Sequence, residues 1–132
     1  MTTSPRCFEL TLLPERFAIS QFPADAPIPE WATQGSFFSV TRTRDELSVV
    51  CEHSRVPAGV RSQPGGSVLK VHGPFDLAET GVLSSLALPL AEANLSLFTI
   101  STFETDYLLI ASGTLSAAIG ALERAGHKVH RS

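Results

Sequence analysis

The sequence predicts an α+β protein built as a tandem repeat of βαββαβ units, the first copy degenerate. Three observations carry this. Residues 66–130 read as strand, helix, strand, strand, helix, strand. The stretches 37–51 and 97–111 align without a gap at a constant offset of 60 (98 − 38). In the first copy a proline-rich connection stands where the second has its first helix.

Taken in order, Phe8 to Leu13 carries enough Leu, Phe and Thr for a strand; Pro14-Glu15 interrupts it and Phe17-Ala18-Ile19 resumes. This predicts a bent or broken edge strand. From Gln21 to Trp31, Pro23, Pro27 and Pro29 exclude a long helix and leave room for one turn around Pro29 to Ala32. Phe37–Thr41 and Leu47–Cys51 predict strands flanking a polar hairpin loop, Arg42-Thr43-Arg44-Asp45. After Glu52 the run HSRVPAGVRSQPGGS has turn formers without helical periodicity, and Pro64-Gly65-Gly66 marks the internal boundary. The expected domains are 6–63 and 66–130.

The second copy opens with a strand over Val68–His72. Gly81–Asn94 follows as a helix, since Val82, Leu83, Leu86, Leu90 and Ala93 return at helical spacing. Pro89 removes one backbone donor and predicts a kink, because the periodicity continues beyond it to Asn94. Leu95–Ser101 and Tyr107–Ala111 predict a second hairpin around the turn Thr102-Phe103-Glu104-Thr105-Asp106. The last helix starts at Thr114 as N-cap, buries Leu115, Ala118, Ile119 and Leu122, and ends at Gly126 in the C′ position. His127–His130 closes the unit as a strand. Two split β-α-β units in series make this a ferredoxin-like arrangement. In the repeat, Phe38 meets Phe98 and Val40 meets Ile100; carried backwards, the strand ending at Leu13 falls on the one ending at Gly73.

The segments LPERF, TRTRDELSVVCE, LKVHGPFDLAETGVLSSLALPLAEA and STFETDYLLI resemble those of small bacterial tandem ACT-domain proteins over residues 8 to 130. These are similar in turn to the regulatory part of aspartokinase and to the animal cytosolic arginine sensors. The resemblance implies the ACT fold, a non-catalytic amino-acid-binding regulatory module and at least a homodimer. It places the ligand between the loop Asp76–Val82 and the stretch Ser101–Asp106.

Composition narrows the function classes. The chain has 132 residues, 43% hydrophobic and 17% charged, which describes a globular protein and leaves each half near the lower limit for a self-supporting core. A net charge of −3 without a basic cluster beyond Arg42 and Arg44 argues against a nucleic-acid partner. No apolar run approaches a membrane span and MTTSPRCFEL lacks a signal-sequence pattern, so the expectation is a cytoplasmic protein with no membrane partner. Cys7 and Cys51 have no redox or metal spacing and read as small core residues.

An amino acid presents a carboxylate and an ammonium, so its site needs N–H donors beside acceptors. The helix start at Thr80-Gly81-Val82 supplies donors, with Gly81 leaving room for close approach. Asp76, Glu79 and Asp106 supply acceptors, Thr102 lies in the facing turn, and Phe103 reads as a pocket wall or a core plug. Asp76 and Asp106 read equally as turn caps. No catalytic constellation stands beside these. Cys51 and His53 lack a third orienting group; Ser84 and Ser85 lie in no GxSxG elbow. His72, His127 and His130 lack zinc-site spacing, with the last two expected at an exposed C-terminus, and GPFDLAETG is no phosphate loop. The expectation is therefore no enzyme, no cofactor and no metal. Two readings stand: an amino-acid sensor, or a protein-interaction and oligomerisation module with a vestigial pocket and an unidentified protein partner.

Overall fold

The structure, a computed structural model, describes residues 7–75 and 80–131. In chain order the strands are β1 (Glu9–Leu12), β2 (Phe17–Phe22), β3 (Ser39–Arg42), β4 (Leu47–Glu52), β5 (Ser62–Val71), β6 (Phe98–Ser101), β7 (Asp106–Ile110) and β8 (Lys128–Arg131). The helices are α1 (Val82–Glu92) and α2 (Leu115–Arg124). Two compact units divide the chain: residues 15–66, and residues 7–14 together with 67–131.

The 15–66 unit is an antiparallel sheet in the order β3-β4-β2-β5, with β5 contributing its first residues, Ser62 to Gly66. Where a βαββαβ unit carries helices, this one has two short 3-10 turns, Glu30–Thr33 and His53–Arg55. Pro29 opens the first turn, its carbonyl accepting the Ala32 N–H at 3.0 Å. That turn buries Ala32 against Val49 and Cys51, with Trp31, Phe22 and Val40 packed around them.

In the other unit the order is β6-β7-β5-β1-β8, β5 now contributing Ser67 to Val71. Both units thus share one order, second strand, third, first, fourth, with β1 inserted before the fourth strand of the helical unit. Leu10, Leu69, Val71, Leu108, Ile110 and Val129 of this sheet form one core with Leu86 and Leu90 of α1 and Ala118, Ile119 and Leu122 of α2. The two helices therefore share one face of the sheet, the α+β ferredoxin-like arrangement of an ACT fold.

The N-terminal strands depart from expectation. Phe8 to Ile19 is not one bent edge strand: β1 lies between β5 and β8 in the helical unit, and β2 lies between β4 and β5 in the other. The topological counterpart of the second half of β5 is therefore β2, not the strand ending at Leu13. Pro14-Glu15 separates two strands because proline gives neither sheet a ladder donor. Pro64-Gly65-Gly66 likewise runs inside β5 rather than in a loop, although the division between units falls just after it.

The hairpins also correct the repeat. The loop-closing pairs are Arg42↔Leu47 and Ser101↔Asp106, so equivalent positions lie 59 apart (101 − 42), not 60. Thr43 and Thr102 open the two loops identically. Each donates its N–H to the carbonyl three residues on (Thr43 to Glu46, 2.9 Å; Thr102 to Thr105, 2.8 Å), and each hydroxyl accepts that residue's N–H (3.1 and 3.3 Å).

Helix ends follow local chemistry. Asn94 takes φ 60° after α1, with the Leu95 N–H on the Leu90 carbonyl at 2.9 Å and the Asn94 N–H on that of Ala91 at 2.9 Å, a Schellman closure. It holds Leu95 off the sheet, which is why β6 starts at Phe98 rather than Leu95. Gly126, at φ 100°, closes α2 in the same way. Thr114 occupies the N-cap position of α2, but its hydroxyl is hydrogen-bonded to the Ala111 carbonyl at 2.8 Å instead of capping the helix. The helix α1 runs through Pro89 without ending.

Candidate functional site

The hairpin loop 102–105 is fixed to the end of β5 and the segment following it by two bonds. The buried Thr105 hydroxyl reaches the Val71 carbonyl at 2.6 Å, and the Phe75 N–H donates to the Glu104 carbonyl at 2.7 Å. Gly73 permits this closeness: a Cβ there would stand 2.8 Å from the Glu104 oxygen. The loop is thereby held opposite the start of α1, across an open cleft of about 630 Å3.

On one side of the cleft lie Gly81, Val82, Leu83, Ser84 and Ala87, and on the other Ser101 to Asp106, with Phe75 between. Gly81 stands at the N-cap of α1 with φ 82°, a conformation that favours glycine. Its carbonyl accepts the Ser85 N–H at 3.0 Å and the hydroxyls of Ser84 and Ser85 at 3.2 and 2.6 Å. The N–H groups of Val82, Leu83 and Ser84 have no intrahelical acceptor and carry the positive end of the helix dipole. Also lining the cleft, Asp106 accepts a hydrogen bond from the Ser101 hydroxyl across the loop-closing pair. The cleft is thus lined both by the first turn of α1 and by an acidic residue.

Of the residues singled out from sequence, Gly81, Val82, Thr102, Phe103 and Asp106 line this cleft. Thr80 is exposed and outside the lining. Asp76 and Glu79 lie outside the described residues. Phe103 is 88% exposed, so it stands on the rim of the cleft and is no core plug. Asp106 bonds to a side chain across the hairpin, and the loop's capping hydroxyl belongs to Thr102. Leu83, Ser84 and Ala87 also line the cleft, the outward side of the start of α1 being the signal available for them, and so does Ser101, which lies within the expected stretch Ser101–Asp106.

Other sequence expectations change in place. His127 is buried, not exposed, and Cys7 is exposed rather than a core residue. Cys51 is fully buried, and burial, reinforced by the neighbouring Glu52 charge, pushes its thiol pKa up. A protonated buried thiol beside an exposed His53 is not an activated nucleophile.

Comparison with known proteins agrees with this architecture. A family model described as an ACT domain matches residues 61–124, and a model of an N-terminal domain matches residues 15–59. No curated protein matches. A crystal structure of an Agrobacterium tumefaciens protein is 39% identical, with 96% of this chain and 95% of that one covered and a TM-score of 0.91. A Vibrio cholerae protein of unknown function, described as a possible transport protein, is 18% identical with 89% of each chain covered and a TM-score of 0.73. The regulatory subunit of aspartate kinase from Thermus flavus is 12% identical, with 88% of this chain and 95% of that one covered and a TM-score of 0.61; at that identity it speaks for the fold alone. With the ACT model on the helical unit and a full-length relative at 39% identity, the chain belongs to the ACT-domain family.

Proposed function

We propose that this chain is a non-catalytic regulatory protein that binds an amino acid in the cleft between the start of α1 and the loop 102–105. The observation that carries the reading is one open cleft lined both by the first turn of α1, whose N–H groups lack an intrahelical acceptor, and by Asp106. The ligand carboxylate sits against the N–H groups of Val82 and its neighbours, and the ammonium against Asp106. Phe103 covers the ligand's side chain, with Asp76 and Glu79 as further acceptors. Membership of a family whose domains generally bind small molecules supports this assignment. Following the sequence reading, the protein works in the cytoplasm.

The test is a thermal-shift and calorimetric screen of the whole chain against the twenty amino acids. A ligand bound only by the folded state raises the melting temperature by mass action. Binding that survives Asp106→Asn unchanged, or no binding by any of the twenty, rejects the assignment.

The interaction-module reading draws on a different observation. In its unit, β6 is hydrogen-bonded only to β7 among the described strands and carries Phe98, 41% exposed. Such an edge favours pairing with a second copy, and sedimentation at high concentration is expected to show a homodimer; a clean monomer removes this part of the proposal.

A further inference from the structure

The face of the helical unit's sheet opposite α1 and α2 carries a group of side chains that the ligand cleft does not use. Leu10 of β1 points into the core, so Glu9 and Thr11 point to the other face. His72 continues the ladder just past β5, its N–H on the Glu9 carbonyl at 2.8 Å, and His130 pairs with Thr11. The His130 Nε2 lies 2.7 Å from Glu9 Oε1, the His72 Nε2 lies 2.5 Å from Thr11 Oγ1, and the two imidazoles stack with centroids 5.4 Å apart at 12°. One ligating atom from each of Glu9, His72 and His130 falls within 4.8 Å of the others.

We propose that Glu9, His72 and His130 bind a divalent transition-metal ion of the Zn2+ type. Two imidazole nitrogens and one carboxylate oxygen select borderline ions over Mg2+ or Ca2+, which take oxygen ligands. Ligands about 2.0–2.1 Å from a tetrahedral zinc stand roughly 3.3 Å apart. The longest separation closes and the Glu9–His130 contact opens by rotations of side chains exposed enough to turn: Glu9 is 56% and His130 37% exposed. Three ligands leave the fourth position to water or to the Thr11 hydroxyl. Lys70 and Lys128 lie on the same face, paired with Thr11 and Glu9, and both are exposed.

The consequence is structural. The ligands come from β1, the end of β5 and β8, so a bound ion ties the inserted N-terminal strand to both its neighbours and stabilises the folded state.

The test is calorimetric titration of the chelator-treated whole chain with Zn2+, followed by melting with Zn2+ and with Mg2+. The expected result is uptake of one Zn2+ per chain and a rise in melting temperature with Zn2+ alone. Glu9→Gln, His72→Ala and His130→Ala are each expected to weaken uptake roughly tenfold or more, while His53→Ala, on the other unit, leaves it unchanged. Melting of the metal-free variants checks that these exposed substitutions leave the fold intact. No stoichiometric uptake, or uptake undiminished in the His72→Ala, His130→Ala double variant, overturns the proposal.

Discussion

The His127 imidazole stands 2.9 Å from the Ser85 carbonyl, the group that Pro89, four residues further along α1, leaves without its helical donor. The tautomer follows from the other ring nitrogen: Nδ1 accepts the Phe8 N–H at 3.0 Å, so Nε2 carries the proton and donates. A buried ring stacked on Phe8 thus repairs the backbone of a helix it does not belong to. Pro89 is tolerated because the chain supplies a substitute donor from beyond α2.

This arrangement predicts a coupled pair. His127→Leu keeps apolar volume but strands the Ser85 carbonyl and the Phe8 N–H, at a cost of about 2–4 kcal/mol for two buried groups. In a Pro89→Ala background the restored N–H satisfies Ser85, and the same substitution costs about 1 kcal/mol less. Urea unfolding of the four proteins measures the coupling; strict additivity removes the compensation argument.

The Glu52 carboxylate organises the other unit. It accepts the Ser36 N–H at 3.1 Å and the Arg55 Nε at 3.1 Å, joining the turn before β3 to the end of β4. The Ser36 backbone N–H, aided by Arg55, holds its pKa below the ordinary glutamate value against the opposing effect of burial. A carboxyl with a lowered folded pKa contributes stability that is present above its unfolded pKa and lost as pH falls through the folded one. Glu52→Gln is therefore expected to cost about 1 kcal/mol at neutral pH, discounted because Arg55 is 35% exposed. The difference from the parent should shrink as acid protonates Glu52; a pH-independent difference in melting temperature contradicts this.

Much of this architecture was legible in the sequence because local rules decide it. Apolar spacing set α1 and α2, the residue types of Asn94 and Gly126 set their ends, and polar stretches between apolar runs set the hairpins, although their loops, expected at 42–45 and 102–106, lie at 43–46 and 102–105. Strand partnership was not legible. Nothing local tells β1 that it pairs with β8, which lies more than a hundred residues away, instead of continuing into β2. The same limit hid the Glu9, His72 and His130 group, whose members are brought together only by strand order, and hid His127, whose partners are a helix carbonyl and an N-terminal N–H. In the cleft, the first turn of α1 and the acidic hairpin were readable as local patterns.

The two cysteines separate cleanly by environment. Cys7 is exposed at the start of the helical unit, its sulfur 2.9 Å from where a Cβ on Gly126 would stand, whereas Cys51 is fully buried with a raised pKa. Thiolate is the reacting form. A thiol reagent at neutral pH is expected to modify Cys7 in the native protein and Cys51 only on unfolding, read by mass spectrometry of the peptides. Rapid native labelling of Cys51 contradicts the packing described for the 15–66 unit.

The cleft yields a prediction that separates charge from structure. Asp106 is bonded to the Ser101 hydroxyl, and an asparagine oxygen in the same place accepts that bond equally well. Asp106→Asn should therefore leave the melting temperature of the ligand-free protein nearly unchanged. If the carboxylate faces the ammonium of an amino acid, the same substitution removes a charge-assisted bond and weakens binding by about 1.5–3 kcal/mol. Ser101→Ala provides the complement: the carboxylate keeps its charge but loses the group that orients it, so ligand affinity falls by less while the hairpin loses a hydrogen bond. Melting curves of the three proteins, with and without the amino acid found by screening, distinguish the cases. A drop in ligand-free stability for Asp106→Asn with affinity intact makes Asp106 a hairpin fastening and rejects the proposed binding mode.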